Sequence, residues 1–236
     1  MQKLLGQMRC AVDRYHMIAE GDRIAIGISG GKDSVALLAG MSALRRFYPA
    51  RFELTAVTLD PCFGGIETDY SPIEQLCGEL EIPYRLRRTE LGKIIFETRK
   101  EKNPCSLCAR MRRGMLHDEA KAARCNKIAL GHHMDDAAET LMMNLLGSGA
   151  IECFSPVSYL SRKDLTMIRP LIFTREREIE SLVKRTQLPV VKSLCPVDGA
   201  THRQRIKELL DTLEPDYAPL REKLTGALQR GGISRW

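Results

Sequence analysis

No stretch of the sequence approaches the roughly 20 consecutive apolar residues that a membrane-spanning helix needs, and Met1 to Glu20 lacks the basic start, apolar core and cleavage site of a secretory signal. A cytoplasmic protein without a membrane partner is expected. Internal repeats and low-complexity linkers are also missing, which excludes solenoids and tethered modules. The 236 residues then suit one substantial core with a small helical appendage. Aromatic residues make up only 6% of the chain, with a single Trp, so platforms for stacking nucleic-acid bases are few. The spacing Gly-x-x-x-x-Gly-Lys-[Ser/Thr] of a Walker A loop does not occur.

What is present begins with charge. Lys and Arg number 36 against 30 Asp and Glu, a formal net charge of +6 that favours a polyanionic partner. Eight cysteines in a chain expected in a reducing compartment point to buried thiols, metal ligands or redox chemistry rather than disulfides.

Periodicity predicts a helix over residues 2–19, then an apolar β-branched strand, Arg23 to Ile28, and a glycine-rich turn. A helix over 34–47 and a strand over 52–59 complete a βαβ unit. The alternation continues with a helix over 69–80, a strand over 84–87, a helix after Thr89 and another over 109–124. A strand over 127–130, a helix over 134–146, a strand over 166–168 and a helix over 175–187 follow. The expectation is an α/β fold, a doubly wound parallel sheet of about five strands, with C-terminal helices over 201–213 and 217–229. The chain divides on this reading into an N-terminal helix, 1–20, a nucleotide-binding α/β domain, 21–190, and a C-terminal helical segment, 191–236.

The run Ser29-Gly30-Gly31-Lys32-Asp33-Ser34 between a strand and a helix suits phosphate. Its glycines let backbone N–H groups approach oxygen atoms, the helix start adds positive potential, and Lys32 supplies a cation. Ser29 and Ser34 add hydroxyl donors. Asp60, at the end of the next strand, is read either as a ribose or adenine neighbour or as a turn aspartate. In Gly131-His132-His133-Met134-Asp135-Asp136, the acidic pair suits either magnesium or the first turn of a helix. The two histidines without a third ligand read more readily as structure.

Cys105-Ser106-Leu107-Cys108 places two thiols, read here as lying on one loop before a basic helix, at a spacing used for zinc and iron–sulfur ligation. Cys195 offers a third. Cys10, Cys77 and Cys125 fall inside helical patterns and Cys62 and Cys153 at turns, where a small buried hydrophobe is expected. A cluster with one open iron, a zinc site and free thiols all remain open on spacing.

Taken together, Ser29 to Ser34, Asp60, the Cys105–Arg110 segment, the Leu130–Thr140 segment, Ile168-Arg169-Pro170-Leu171 and Cys195 resemble the tRNA 2-thiocytidine synthetase family of PP-loop ATP pyrophosphatases. The resemblance implies that ATP adenylates the C2 oxygen of an anticodon-loop cytidine and that sulfur then displaces AMP. It implies a [4Fe-4S] cluster on Cys105, Cys108 and Cys195, which with Lys32 and Asp33 form the catalytic set. ATP is implied at Ile28 through Ser34, Asp60, Gly131 and Asp136, with Asp136 helping to place Mg2+. The implied partners are tRNA, a sulfur donor (a cysteine desulfurase or inorganic sulfide) and a second copy in a homodimer. Basic clusters at Arg85 to Arg88, Arg99 to Lys102, Arg110 to Arg113 and Arg203 to Lys207 are candidate RNA contacts.

Overall fold

The computed structural model describes residues 1–99, 104–197 and 202–236. In chain order the elements are α1 (Gln2–Arg14), β1 (Asp22–Ile28), α2 (Lys32–Arg45), β2 (Phe52–Asp60), α3 (Ser71–Glu79), β3 (Tyr84–Arg88) and α4 (Pro104–Ala122). Then come β4 (Lys127–Ala129), α5 (Met134–Ser148), β5 (Val157–Leu160), β6 (Leu165–Ile168), α6 (Glu176–Thr186), α7 (His202–Tyr217) and α8 (Leu220–Arg230). The helix expected after Thr89 is a single π-helical turn, Lys93–Thr98. The start expected for α7 at Thr201 lies outside the described residues.

The sheet has six strands in the order β3-β2-β1-β4-β6-β5, one more than expected. Five run parallel, as a chain with helices between its strands must. The additional strand, β5, pairs antiparallel with β6 and closes one edge as a hairpin.

The period-2 alternation of the strands sorts two cores. Ile24, Ile26 and Ile28 of β1 with Leu54 and Ala56 of β2 face the larger one, where Val35, Leu37, Leu38 and Met41 of α2 pack with residues of α1 and α6. The intervening Ala25, Val57, Ile128 and Met167 face the other side, against Ala120 of α4 and Cys125. Helix α4 covers this second face as far as the end of β1, where a Cβ on Gly27 would stand 3.1 Å from Leu116 Cδ2. The C-terminal helices pack back onto α5 through Ala138, Ile206 and Leu210.

The central strands are tied at their N-terminal ends by Asp22. Its carboxylate accepts from the backbone of Ala19 (2.6 Å) and from Asn126 (2.8 Å), and pairs with Lys127 Nζ (2.6 Å), which also donates to Met17 O (2.9 Å). Asp22→Ala would leave the mostly buried ammonium without its counter-charge, and a loss of about 3 kcal/mol is expected in urea unfolding. An unchanged midpoint would show that solvent compensates Lys127.

Candidate active site

The phosphate loop is built by the strand-to-helix turn. Gly30 adopts φ +86°, a conformation that suits glycine, and a Cβ there would meet Val191 Cβ at 2.9 Å. Ser34 Oγ donates to Gly31 O (2.8 Å) and lies 3.2 Å from Ser29 N, while Gly31 N donates to Ser29 Oγ (3.3 Å). These bonds curl the loop over the first turn of α2. Gly131 presses against the same turn, and a Cβ on it would stand 3.1 Å from the Asp33 carbonyl.

The cleft in front of this loop has a volume of about 400 Å³. It opens between the ends of β1 and β4, where chain order reverses across the sheet and a doubly wound fold holds its ligand. Ser29, Asp33, Ser34 and Asp136 line its polar part, while Val57, Leu59, Leu116 and Met167 line an apolar part. That division suits a nucleotide, phosphates at one end and base at the other.

Lys32 does not line this cleft. Its ammonium donates to Glu176 Oε1 of α6 (2.8 Å) and to Asp33 Oδ2 (3.2 Å), and Glu176 in turn accepts from Lys207 Nζ of α7 (2.6 Å). Burial alone pulls the Lys32 ammonium down, but the bond to Glu176 and the charge of Asp33 outweigh it and hold the group above its ordinary value. Burial pushes Glu176 up, yet Lys207 and Lys32 together bring it down to about 2.

The acidic pair divides its roles. Asp135 is buried and accepts from Arg175 Nε (3.2 Å) and from Glu176 N (2.7 Å), with Arg221 Nε at 3.0 Å, so it serves the fold rather than the cleft. Asp136 reaches the cleft. Its Oδ2 accepts from His133 N (3.0 Å), forming a capping box at the start of α5, and its Oδ1 accepts from Arg203 (3.2 Å). His133 is thus a helix cap. Burial holds His132 down at about 4, leaving it neutral beside Phe154, whose ring centroid is 5.0 Å away.

Asp60 is placed otherwise than as an open nucleotide contact. It is fully buried, and its carboxylate accepts from Cys62 N, Thr68 N and Thr68 Oγ1 at 2.9–3.2 Å, closing the loop that follows β2.

Cys105 and Cys108 lie in the first turns of α4, not on a loop, because Pro104 opens a helix as readily as it ends one. At i and i+3 they share a helix face. Burial raises the Cys108 thiol, Arg112 lowers it, and the charges of Cys195 and Cys105 raise it further, so the three thiols are electrostatic neighbours. All are free. Among the described residues no three His, Cys, Asp or Glu side chains converge as a single metal ion requires. A four-iron cubane is wider than one ion, and its thiolate ligands stand correspondingly further apart. Leu91, Ile95 and Leu107 form a small core beneath this end of α4, with Cys108 packed against it.

The basic clusters are largely neutralised inside the protein. Arg85 and Arg87 bond Glu119, Arg88 pairs with Glu67, Arg203 bonds Asp136 and Glu139, and Lys207 bonds Glu176. Lys100 and Lys102 lie outside the described residues. Arg112 and Arg113 line the cleft and have no carboxylate partner among the described residues. Sequence reading missed Glu176 altogether. A carboxylate in the first turn of a helix carries no signal that it will face a lysine 144 positions away.

A carboxylate held below its unfolded value stabilises the fold above that value, about 4.3, and loses the contribution as pH falls through the folded one. Glu176→Gln should therefore be less stable than wild type at pH 7, with the difference shrinking between about pH 5 and 2. Denaturant unfolding across this range would show a constant difference if the ion pairs contribute nothing.

A family profile described as a PP-loop domain matches residues 5–213. The tRNA-cytidine(32) 2-sulfurtransferase of Citrifermentans bemidjiense is 39% identical over 221 residues, covering 92% of this chain and 86% of the relative. The protein of the same name from Syntrophotalea carbinolica is 39% identical over 231 residues, 97% of this chain and 87% of the relative. Among solved structures, the U34-tRNA thiolase NcsA from Methanococcus maripaludis with its [4Fe-4S] cluster matches with a TM-score of 0.79 at 23% identity. That match covers 97% of this chain and 78% of the other, and it supports the doubly wound fold. With the phosphate loop at the switch point and these identities across nearly its whole length, the chain belongs to the PP-loop domain family and, within it, to the tRNA-cytidine(32) 2-sulfurtransferases.

Proposed function

We propose that this sulfurtransferase binds ATP in the cleft at Ile28–Ser34, adenylates the C2 oxygen of a tRNA cytidine, and replaces that oxygen with sulfur at a site formed by Cys105, Cys108 and Cys195. The observation that carries this reading is the course of α4. One helix bears Cys105 and Cys108 in its first turns and, directly after them, lines the nucleotide cleft with Ala109, Arg112 and Leu116. Activation and sulfur delivery are thereby adjacent. A reading in which nitrogen is attached instead leaves the three neighbouring thiols without a role.

A pyrimidine carbonyl oxygen is a poor leaving group until it becomes a phosphate ester. The C2 oxygen attacks the α-phosphorus, the bond to the bridging oxygen breaks, and pyrophosphate departs with the electron pair. Sulfide then adds to C2, the C2–O bond breaks, and AMP leaves carrying the former carbonyl oxygen.

The start of α2 and the loop N–H groups suit the pyrophosphate, with the hydroxyls of Ser29 and Ser34 alongside. Asp33 and Asp136 both line the cleft, and Asp33 Oδ1 is buried with the Lys32 ammonium 3.1 Å away, so two carboxylates facing the phosphate loop give an oxygen donor set that fits Mg2+. Magnesium there would neutralise charge on the departing pyrophosphate. Lys32 reaches a phosphate by exchanging one of its carboxylate partners for it. Arg112, without a carboxylate partner among the described residues, suits the charge that develops on the α-phosphate.

Three free neighbouring thiols, two of them on one helix face, fit a [4Fe-4S] cluster with one iron not bound by cysteine. When bound, such a cluster would supply a soft site for the sulfide to be transferred, which comes from inorganic sulfide or from the persulfide of a cysteine desulfurase after a thiol reductant supplies two electrons.

With α-labelled ATP, bulk tRNA and sulfide under anaerobic conditions, AMP and pyrophosphate should form only when tRNA is present, and nucleoside mass spectrometry should find 2-thiocytidine. Cys108→Ser and Cys195→Ser should each reduce thiolation by at least ~100-fold while ATP affinity is kept. Pyrophosphate release without a thionucleoside would overturn the reading, as would a colourless anaerobic preparation holding stoichiometric zinc.

A further inference from the structure

A second cleft of about 370 Å³ adjoins the phosphate loop just past the ends of β1 and β2, where Ser29 and Pro61 line it. Ser29 and Gly31 form one wall. The loop after β2 contributes Phe63 and Tyr70, the segment Val190–Leu194, bonded to the phosphate loop at Val191, contributes further lining, and Arg112 of α4 completes it. Ser29 and Arg112 also line the nucleotide cleft, so the two cavities meet between these side chains.

Three properties of this cleft narrow its occupant. First, it touches both halves of the chemistry. Leu194 directly precedes Cys195, Arg112 lies one turn beyond Cys108 on the same helix face, and Ser29 belongs to the phosphate loop. Second, it gathers aromatic surface in a chain that has little. Phe63 packs edge-on against Phe96 (5.9 Å, 70°), which braces its ring, and Tyr70 is buried beside Gly30. Third, its walls are held. Val191 N donates to Gly30 O (2.9 Å), and the Asp60 carboxylate clamps Thr68. Flat apolar surface with a few polar groups and a cation at one end is how single-stranded bases are bound.

Resting on the thiolation reading above, we propose that this second cleft holds the target pyrimidine, flipped out of an RNA loop, against Phe63. Its C2 oxygen then points toward the junction at Ser29 and Arg112, where the α-phosphate arrives from one side and the thiols lie on the other. The base does not share the nucleotide cleft. A base already unstacked in a loop enters more readily than one in a duplex, which favours loop positions as substrates.

The test separates the two cavities. Val190 is 51% exposed, so Val190→Trp can fill the cleft from its rim without entering the core. With ATP affinity within about twofold of wild type, single-turnover thiolation should fall by ~100-fold or more. Loss of ATP binding would overturn the proposal, and so would thiolation at the wild-type rate. A second readout needs no turnover. With the fluorescent cytidine analogue pyrrolocytidine at the target position of a tRNA, binding to wild type should change its fluorescence, Phe63→Ala should change the bound signal, and Phe63→Tyr should restore it. Equal signals for all three proteins would place the base elsewhere. Wild type that forms AMP and pyrophosphate without a thionucleoside would instead break the thiolation reading itself, a result distinguishable from either variant's behaviour.

Discussion

The buried carboxylate of Asp135 holds together three parts of the chain on which the site depends. It sits in the first turn of α5, accepts from Glu176 N at the first turn of α6, and pairs with Arg175 and with Arg221 of α8. Arg175 continues to Glu222, and Arg221 to Glu214 and Asp211. Removing one member of such a network leaves an uncompensated buried charge, a far larger cost than losing a surface pair. The start of α6 is therefore well located. Glu176 consequently meets Lys32 of the phosphate loop on one side and Lys207 of α7 on the other.

Beyond that network the active site is organised by one helix. The N-terminal end of α4 rests through Leu107 on Leu91 and Ile95 and carries two thiols, its middle lines the nucleotide cleft, and its later turns cover the second face of the sheet at Ala120. A helix is stiff over this length, so thiols and cleft keep a constant separation. Helix α7 makes a second link, since Arg203 bonds Asp136 at the cleft and Lys207 bonds Glu176, the partner of Lys32, while the helix follows the Cys195 segment in the chain. Burial and the charge of Asp136 push Glu139 up, with Arg203 opposing both. These cations were read from sequence as an RNA surface, and the fold uses two of them internally.

Where local patterns decide structure, the sequence was legible. The strand β1, the turn with Gly30 at positive φ and the helix α2 follow from β-branched residues, a glycine pair and helical apolar spacing. Strand β5 was not legible, because Val157–Leu160 is four residues long, half exposed and held only by its pairing with β6. The helical state of the Cys105–Cys108 segment was not legible either, because it depends on the packing of Leu107 with Leu91 and Ile95, contacts contributed by another segment.

The sequence by itself determined the chemical inventory: a phosphate loop between strand and helix, three cysteines that are candidate ligands, and the resemblance to a family. These depend on residue type at short spacing. Only the tertiary structure decided which charged groups face the substrate. Asp60, Asp135 and Asp136 look alike in sequence, yet one clamps a loop, one anchors a buried ion network and one reaches the cleft. The reason is physical. A carboxylate's role is set by the cations and donors that burial brings to it, and here those partners include Arg175, Arg203 and Arg221, 40 or more positions away.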